Sequence, residues 1–120
     1  MRHLLAVQSQ DYPNARWAVG TRLGGAVDED VERAFDLGEI VRLHVLRPTW
    51  HFVAPEDLRW LVTLTAPRVR QASAYQYRLL EIDEALLARC RAVIEGALEG
   101  GLALTREELG ARLEDRKSVV

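Results

Sequence analysis

The chain has 120 residues, of which 48 % are hydrophobic and 28 % charged, with a formal net charge of −2. That length carries one compact domain, or a small module plus part of another, with the composition of an ordinary globular protein. It contains no apolar run near the roughly 20 residues that cross a bilayer and no signal-peptide pattern. Its lone cysteine, Cys90, excludes an internal disulfide, so a reducing cytoplasm is the expected compartment.

Residues 2–9 read as the end of a helix, because Leu4, Leu5 and Ala6 are good helix formers. A polar stretch, Gln8-Ser9-Gln10-Asp11, follows. In a helix two amides one residue apart would sit about 200° from each other; in an extended or turn segment they can point the same way. Asp11 is suited to cap a second helix with Pro13 in its first turn. Ala15, Ala18, Val19 and Leu23 recur there at helical spacing, with Trp17 beside them, up to Gly24-Gly25. A third helix is expected over 28–37, stopped by Gly38. Its first turn is acidic, with Asp28, Glu29, Asp30 and Glu32, which suits the positive end of a helix dipole.

The one β region follows. Ile40 to Leu46 and Thr49 to Val53 are rich in β-branched and aromatic residues, and Arg47-Pro48 between them reads as a tight turn. Alternation puts Val41, Leu43 and Val45 on one face and Arg42 and His44 on the other. Pro55 opens a fourth helix, which Pro67 is expected to break, and a more polar helical piece runs from Arg68 to about Leu80. Residues 83–99 form a strongly periodic helix with Leu86, Leu87, Cys90, Val93, Ile94, Ala97 and Leu98 on one stripe. Cys90 is therefore read as a small core residue. Thr105 and Glu108 make a capping box that opens a last helix. Trp17, Trp50 and Trp60 are read as core.

These elements predict a mainly α fold with one β-hairpin. Helix, helix, helix, hairpin is the order of a winged-helix module, expected over 1–80 with its wing at 40–53. Residues 81–120 read as the helical start of a second, incomplete winged-helix module. Residues 1–80 carry ten Arg against nine Asp and Glu, a net of +1; residues 81–120 carry six basic against nine acidic residues, a net of −3.

Three segments carry a family resemblance: Val7-Gln8-Ser9-Gln10-Asp11 with Ala15-Arg16-Trp17-Ala18, then Val45 to Val53 with Ala54-Pro55-Glu56-Asp57-Leu58, and Leu104 to Leu109. In this combination the chain resembles the AlkZ/YcaQ-like family of winged-helix DNA glycosylases. Members look like several tandem winged-helix units. The chain resembles one unit and the beginning of the next, without the helix that usually precedes the Gln motif, so excision activity is not expected of this piece alone.

The resemblance implies that Gln8 and Gln10 are catalytic. An N7-alkylated purine is a cationic leaving group that needs no protonation. It needs a water placed under the sugar carbon, and amide carbonyls can hold one. Taken without the resemblance, two Gln at such a junction are surface or capping residues. Arg47 at the hairpin tip and His51 across the strand are the next candidates for DNA contact. The alternatives for them are a solvated turn arginine and a half-buried strand histidine. The third helix is too acidic to enter a groove lined with phosphates. DNA contact therefore falls to the wing and the Gln-bearing face, with Arg42, Arg16 and Arg22 among the available charges. No metal-ligand spacing, Gly-rich phosphate loop or nucleophilic triad is present, and no cofactor is expected. Two other readings remain: a non-catalytic winged-helix DNA-binding module, and a protein-interaction module whose apolar stripe from Leu86 to Leu98 drives self-association.

Overall fold

The structure, a computed structural model, describes residues 1–46 and 49–115. It is mainly helical with one small antiparallel sheet, and it divides into two compact units, Met1–Ser73 and Ala74–Val120.

The first unit is built on three strands, β1 (Ala6–Gln8), β2 (Val41–Val45) and β3 (Thr49–Val53), in the spatial order β1-β3-β2. The expected helix end over 2–9 is therefore corrected to a turn and a strand. A single turn ties the N–H groups of Leu4 and Leu5 to the Met1 carbonyl. Leu5 then takes a left-handed φ of 63°, which no helix continues. Ala6, Val7 and Gln8 pair with Val53, Phe52 and His51. Three residues of fair helix propensity become a strand because tertiary pairing outweighs a local preference worth only tenths of a kcal/mol per residue.

Two helices connect β1 to β2. Helix α1 (Tyr12–Gly20) is capped by Asp11, whose carboxylate accepts the Asn14 N–H at 3.1 Å, and Pro13 lies in its first turn. It ends at Gly20, earlier than the expected Gly24-Gly25. Helix α2 (Asp28–Asp36) has the expected acidic first turn and stops before Gly38, whose φ of +72° suits glycine.

The sheet buries both faces. On one, Phe52 is completely buried with Ala15, Val19, Val31 and Ile40. Phe52 meets Phe35 and Tyr12 edge-to-face, with centroids 4.8 and 5.9 Å away. On the other, Val45 and Val53 pack with Leu61, flanked by Val41, Leu43 and Leu58. The alternation read from Val41, Leu43 and Val45 is what lays that second core down.

Helix α3 (Pro55–Leu79) is one continuous element with Pro67 inside it. The expected break at Pro67 and the separate piece after it are corrected. Pro67 is exposed; the fixed φ of proline is compatible with a helix, and its costs are one lost backbone donor and the crowding of its ring against the carbonyl four residues earlier, which the continuous helix absorbs. Trp17 and Trp60 are not core residues: they are exposed at 73 % and 44 %. Trp60 still donates its indole N–H to Asp57 at 2.8 Å. A large apolar side chain suggests burial, but each tryptophan stands beside its helix's apolar stripe and not on it, so no covering layer reaches it.

In the second unit, helices α4 (Glu84–Ala97) and α5 (Arg106–Asp115) pack on each other. Asp83 caps α4 by accepting the Leu86 N–H at 2.7 Å. The expected capping box is present: Glu108 accepts the Thr105 N–H at 2.6 Å, and Thr105 Oγ1 accepts the Glu108 N–H at 3.3 Å. The stripe of Leu86, Leu87, Cys90, Val93, Ile94, Ala97 and Leu98 is half-buried throughout, and α4 has no fully buried residue.

Candidate functional site: the Gln8–Gln10 junction

The Gln pair lies where β1 stops. Gln8 is the last residue of the strand, directly across from His51 on β3. It shares that face of the sheet with His51 and Leu43. Its side chain is exposed.

One residue on, the ladder departs from regular pairing. Ser9 donates its N–H to the Trp50 carbonyl at 2.8 Å, as a hydrogen-bonded antiparallel pair requires. The return bond would run from the Trp50 N–H to the Ser9 carbonyl. Instead the Trp50 N–H donates to Oε1 of Gln10 at 3.2 Å. The Gln10 side chain thus supplies the acceptor that the β1 backbone no longer offers. This bond fixes the amide's orientation on chemical grounds, because a peptide N–H can only donate and therefore faces the amide oxygen. The Gln10 NH2 group is left pointing away as a donor.

The displaced Ser9 carbonyl turns to Arg42. Nε and Nη2 of Arg42 donate to it at 3.1 and 2.8 Å, and Nη2 also reaches the Gln10 carbonyl at 3.3 Å. The guanidinium crosses the central strand to do this. It lies 4.5 Å from the Trp50 ring centroid and 5.5 Å from that of Tyr12, both within cation–π range. His44, on the same face, stacks against Trp50 with centroids 4.0 Å apart. Ser9 itself is 1 % exposed, and its hydroxyl has no partner among the described residues.

The sequence candidates are thus sorted by position. Gln8 and His51 lie together on the Leu43 face of the sheet, Arg42 lies on the opposite face against Trp50, and Gln10 reaches the Trp50 backbone beyond the end of β1. His51 is 5 % exposed, deeper than a half-buried strand position. Its Nδ1 lies 3.0 Å from the Thr49 carbonyl. A carbonyl only accepts, so Nδ1 carries the proton, and in the neutral ring Nε2 is left with a lone pair. Arg16 is elsewhere, joining α1 to α2 through ion pairs with Asp28 at 2.9 Å and with Glu32. It answers part of the acidic charge that α2 carries. Arg22, exposed after α1, donates to the Ala18 carbonyl. Arg47 lies outside the described residues. No group of three or more His, Cys, Asp or Glu able to hold a metal occurs among the described residues. A cleft of about 590 Å³, lined by Met1, Val19, Leu23, Ile40 and Ala54 among others, includes neither glutamine.

Sequence reading did not anticipate the parts played by Trp50, Tyr12 and the Ser9 carbonyl. Arg42 was visible only as a charge, since its partners lie 32 and 33 residues earlier.

Residues 1–119 match the family model described as DNA glycosylase AlkZ-like. The chain belongs to the AlkZ-like DNA glycosylase family. No curated protein and no solved structure matches it at a significant level. Membership places the chain in a DNA-repair glycosylase context, with DNA as the partner that the family suggests. Among the described residues no helix is long and apolar enough to cross a membrane.

Proposed function

We infer that this AlkZ-like chain carries the water-positioning element of a DNA glycosylase, and that Gln8 and Gln10 are that element. The substrate is an alkylated base in duplex DNA, either cationic or bulky and N-alkylated. An N7-alkylpurine already bears positive charge, so it leaves with the glycosidic electron pair and becomes neutral without an acid. Water adds to the sugar carbon and its proton passes to solvent. The protein's task is to hold that water in line, which is catalysis by positioning.

The observation that carries this reading is the unequal state of the two amides. Gln10 is tied by its oxygen to the Trp50 N–H, so it is the positioning member of the pair. Gln8 is exposed at the strand end, and its carbonyl is available to accept a hydrogen bond from water. Two amides fixed differently on one strand junction suit one bound water better than two independent surface roles do.

The same reading takes residues 1–80 as a winged-helix module with the β2–β3 hairpin as its wing, and 81–120 as the helical start of a second. Support comes from the order strand, two helices, hairpin, and from a sheet in which β3 lies between β1 and β2. Arg47 on the wing, with Arg22, supplies positive charge toward DNA. His51, buried beside Gln8 on the same face of the sheet, supports it from the neighbouring strand. The compartment is the cytoplasm.

Single-turnover excision of an N7-alkylguanine from duplex DNA by the whole protein tests the reading. Gln8→Ala is expected to lower the rate by about 10²-fold, as loss of one positioned polar group does, with the fold intact by circular dichroism. Unchanged excision would sink it.

A further inference from the structure

We propose that Arg42 is a positioning residue for the Gln pair: by capturing the Ser9 carbonyl it keeps the Trp50 N–H free for the side chain of Gln10. The inference rests on the catalytic reading of that pair.

In a regular antiparallel ladder, Ser9 and Trp50 would exchange both backbone bonds. Only one is made, the Ser9 N–H to the Trp50 carbonyl. The Trp50 N–H has two candidate acceptors, the Ser9 carbonyl and the Gln10 amide. Arg42 decides between them. Its planar fork places Nε and Nη2 on the Ser9 carbonyl and Nη2 also on that of Gln10. A carbonyl drawn to a guanidinium makes a charge-assisted bond, roughly twice as strong as a neutral one. It does not return to a peptide N–H while that partner is present.

The guanidinium is held for this task. It lies over Trp50, against Tyr12, and joins no ion pair among the described residues. Remove it, and the Ser9 carbonyl is free to complete the ladder with Trp50. β1 then gains a paired residue, and Gln10 loses its anchor. Such a slip moves an amide by about an ångström, the scale of misplacement that costs about a hundredfold when positioning is the catalysis. A phosphate-binding arginine would behave differently, because its value lies in charge and not in the fork.

The two roles separate in the whole protein. Arg42→Ala is expected to lower single-turnover excision by about tenfold or more while the salt dependence of duplex binding stays unchanged. Arg42→Lys keeps the charge but not the planar fork, so it is expected to be about as slow as alanine. In a Gln10→Ala background, Arg42→Ala should cost little more. The proposal is overturned if lysine restores the rate. It is overturned equally if the slope of log affinity against log salt falls by about one, the mark of a lost phosphate contact, or if Arg42→Ala costs as much without Gln10 as with it. Arg42→Lys retains the side-chain stem over Trp50 and carries the test if alanine does not fold. Should Gln8→Ala and Gln10→Ala themselves leave excision intact, the catalytic reading fails first; should they abolish it while both Arg42 variants excise normally, this inference alone fails.

Discussion

The two compact units differ in how they hold their residues. In Met1–Ser73 a three-stranded sheet buries side chains on both faces, with Phe52, Val53 and Leu61 at or below 1 % exposure. In Ala74–Val120 two helices share a stripe on which no residue of α4 is fully buried. The Gln junction stands on the first unit, and the physical reason is precision. An amide proposed to position a water needs a rigid support, and β1 is tied to the central strand β3, whose residues are buried on both faces. The second unit depends more on local devices, such as the Asp83 cap and the Thr105–Glu108 box, than on packing.

That contrast can be broken in order of effect. Phe52→Ala removes the central member of the aromatic cluster and is expected to cost about 3–5 kcal/mol, read by denaturant unfolding. A cost under 1 kcal/mol would mean that the sheet does not hold the first unit. Leu61→Ala, on the opposite face, should cost about 2–5 kcal/mol and so show that both faces carry weight. In the second unit Thr105→Ala deletes a cap and should cost about 1 kcal/mol. Ile94→Val on the half-buried stripe should cost about 0.5 kcal/mol, the low end for such a change. If Ile94→Val proved as damaging as Leu61→Ala, the contrast between the units would be wrong.

The smallest effect is one of pH. Glu108 accepts from the Thr105 backbone N–H and then from its hydroxyl, and this holds its carboxyl below the usual carboxylate range. A lowered folded-state value means that the contribution is complete above the unfolded value of about 4.3 and is lost as pH falls through the folded one. The protection factor of the Thr105 amide, its exchange rate relative to the intrinsic rate at each pH, should therefore fall on acidification below that range and stay flat in Glu108→Ala. An equal acid response in both proteins would remove the cap from the account.

What could be read in advance follows the same division. The Asp11 cap and the Thr105–Glu108 box were legible because each is complete within four residues. The Val41, Leu43, Val45 stripe was legible because a period of two needs no knowledge of the partner. β1 was not, since Ala6-Val7-Gln8 becomes a strand only through Val53, Phe52 and His51, more than 40 residues later. Pro67 misled because a proline marks a missing donor, and an exposed helix tolerates one. The Gln pair was visible through its resemblance to a known motif. Its anchoring was not, because the Gln10 to Trp50 bond and the Arg42 to Ser9 bonds join residues 40 and 33 apart.

The most direct test of the central claim is the excision rate of an N7-alkylguanine by the whole protein with Gln8 and Gln10 both replaced by alanine. The account predicts a loss of about 10²-fold or more, with duplex binding and circular dichroism unchanged. Excision at the original rate by a folded Gln8→Ala/Gln10→Ala protein would contradict it.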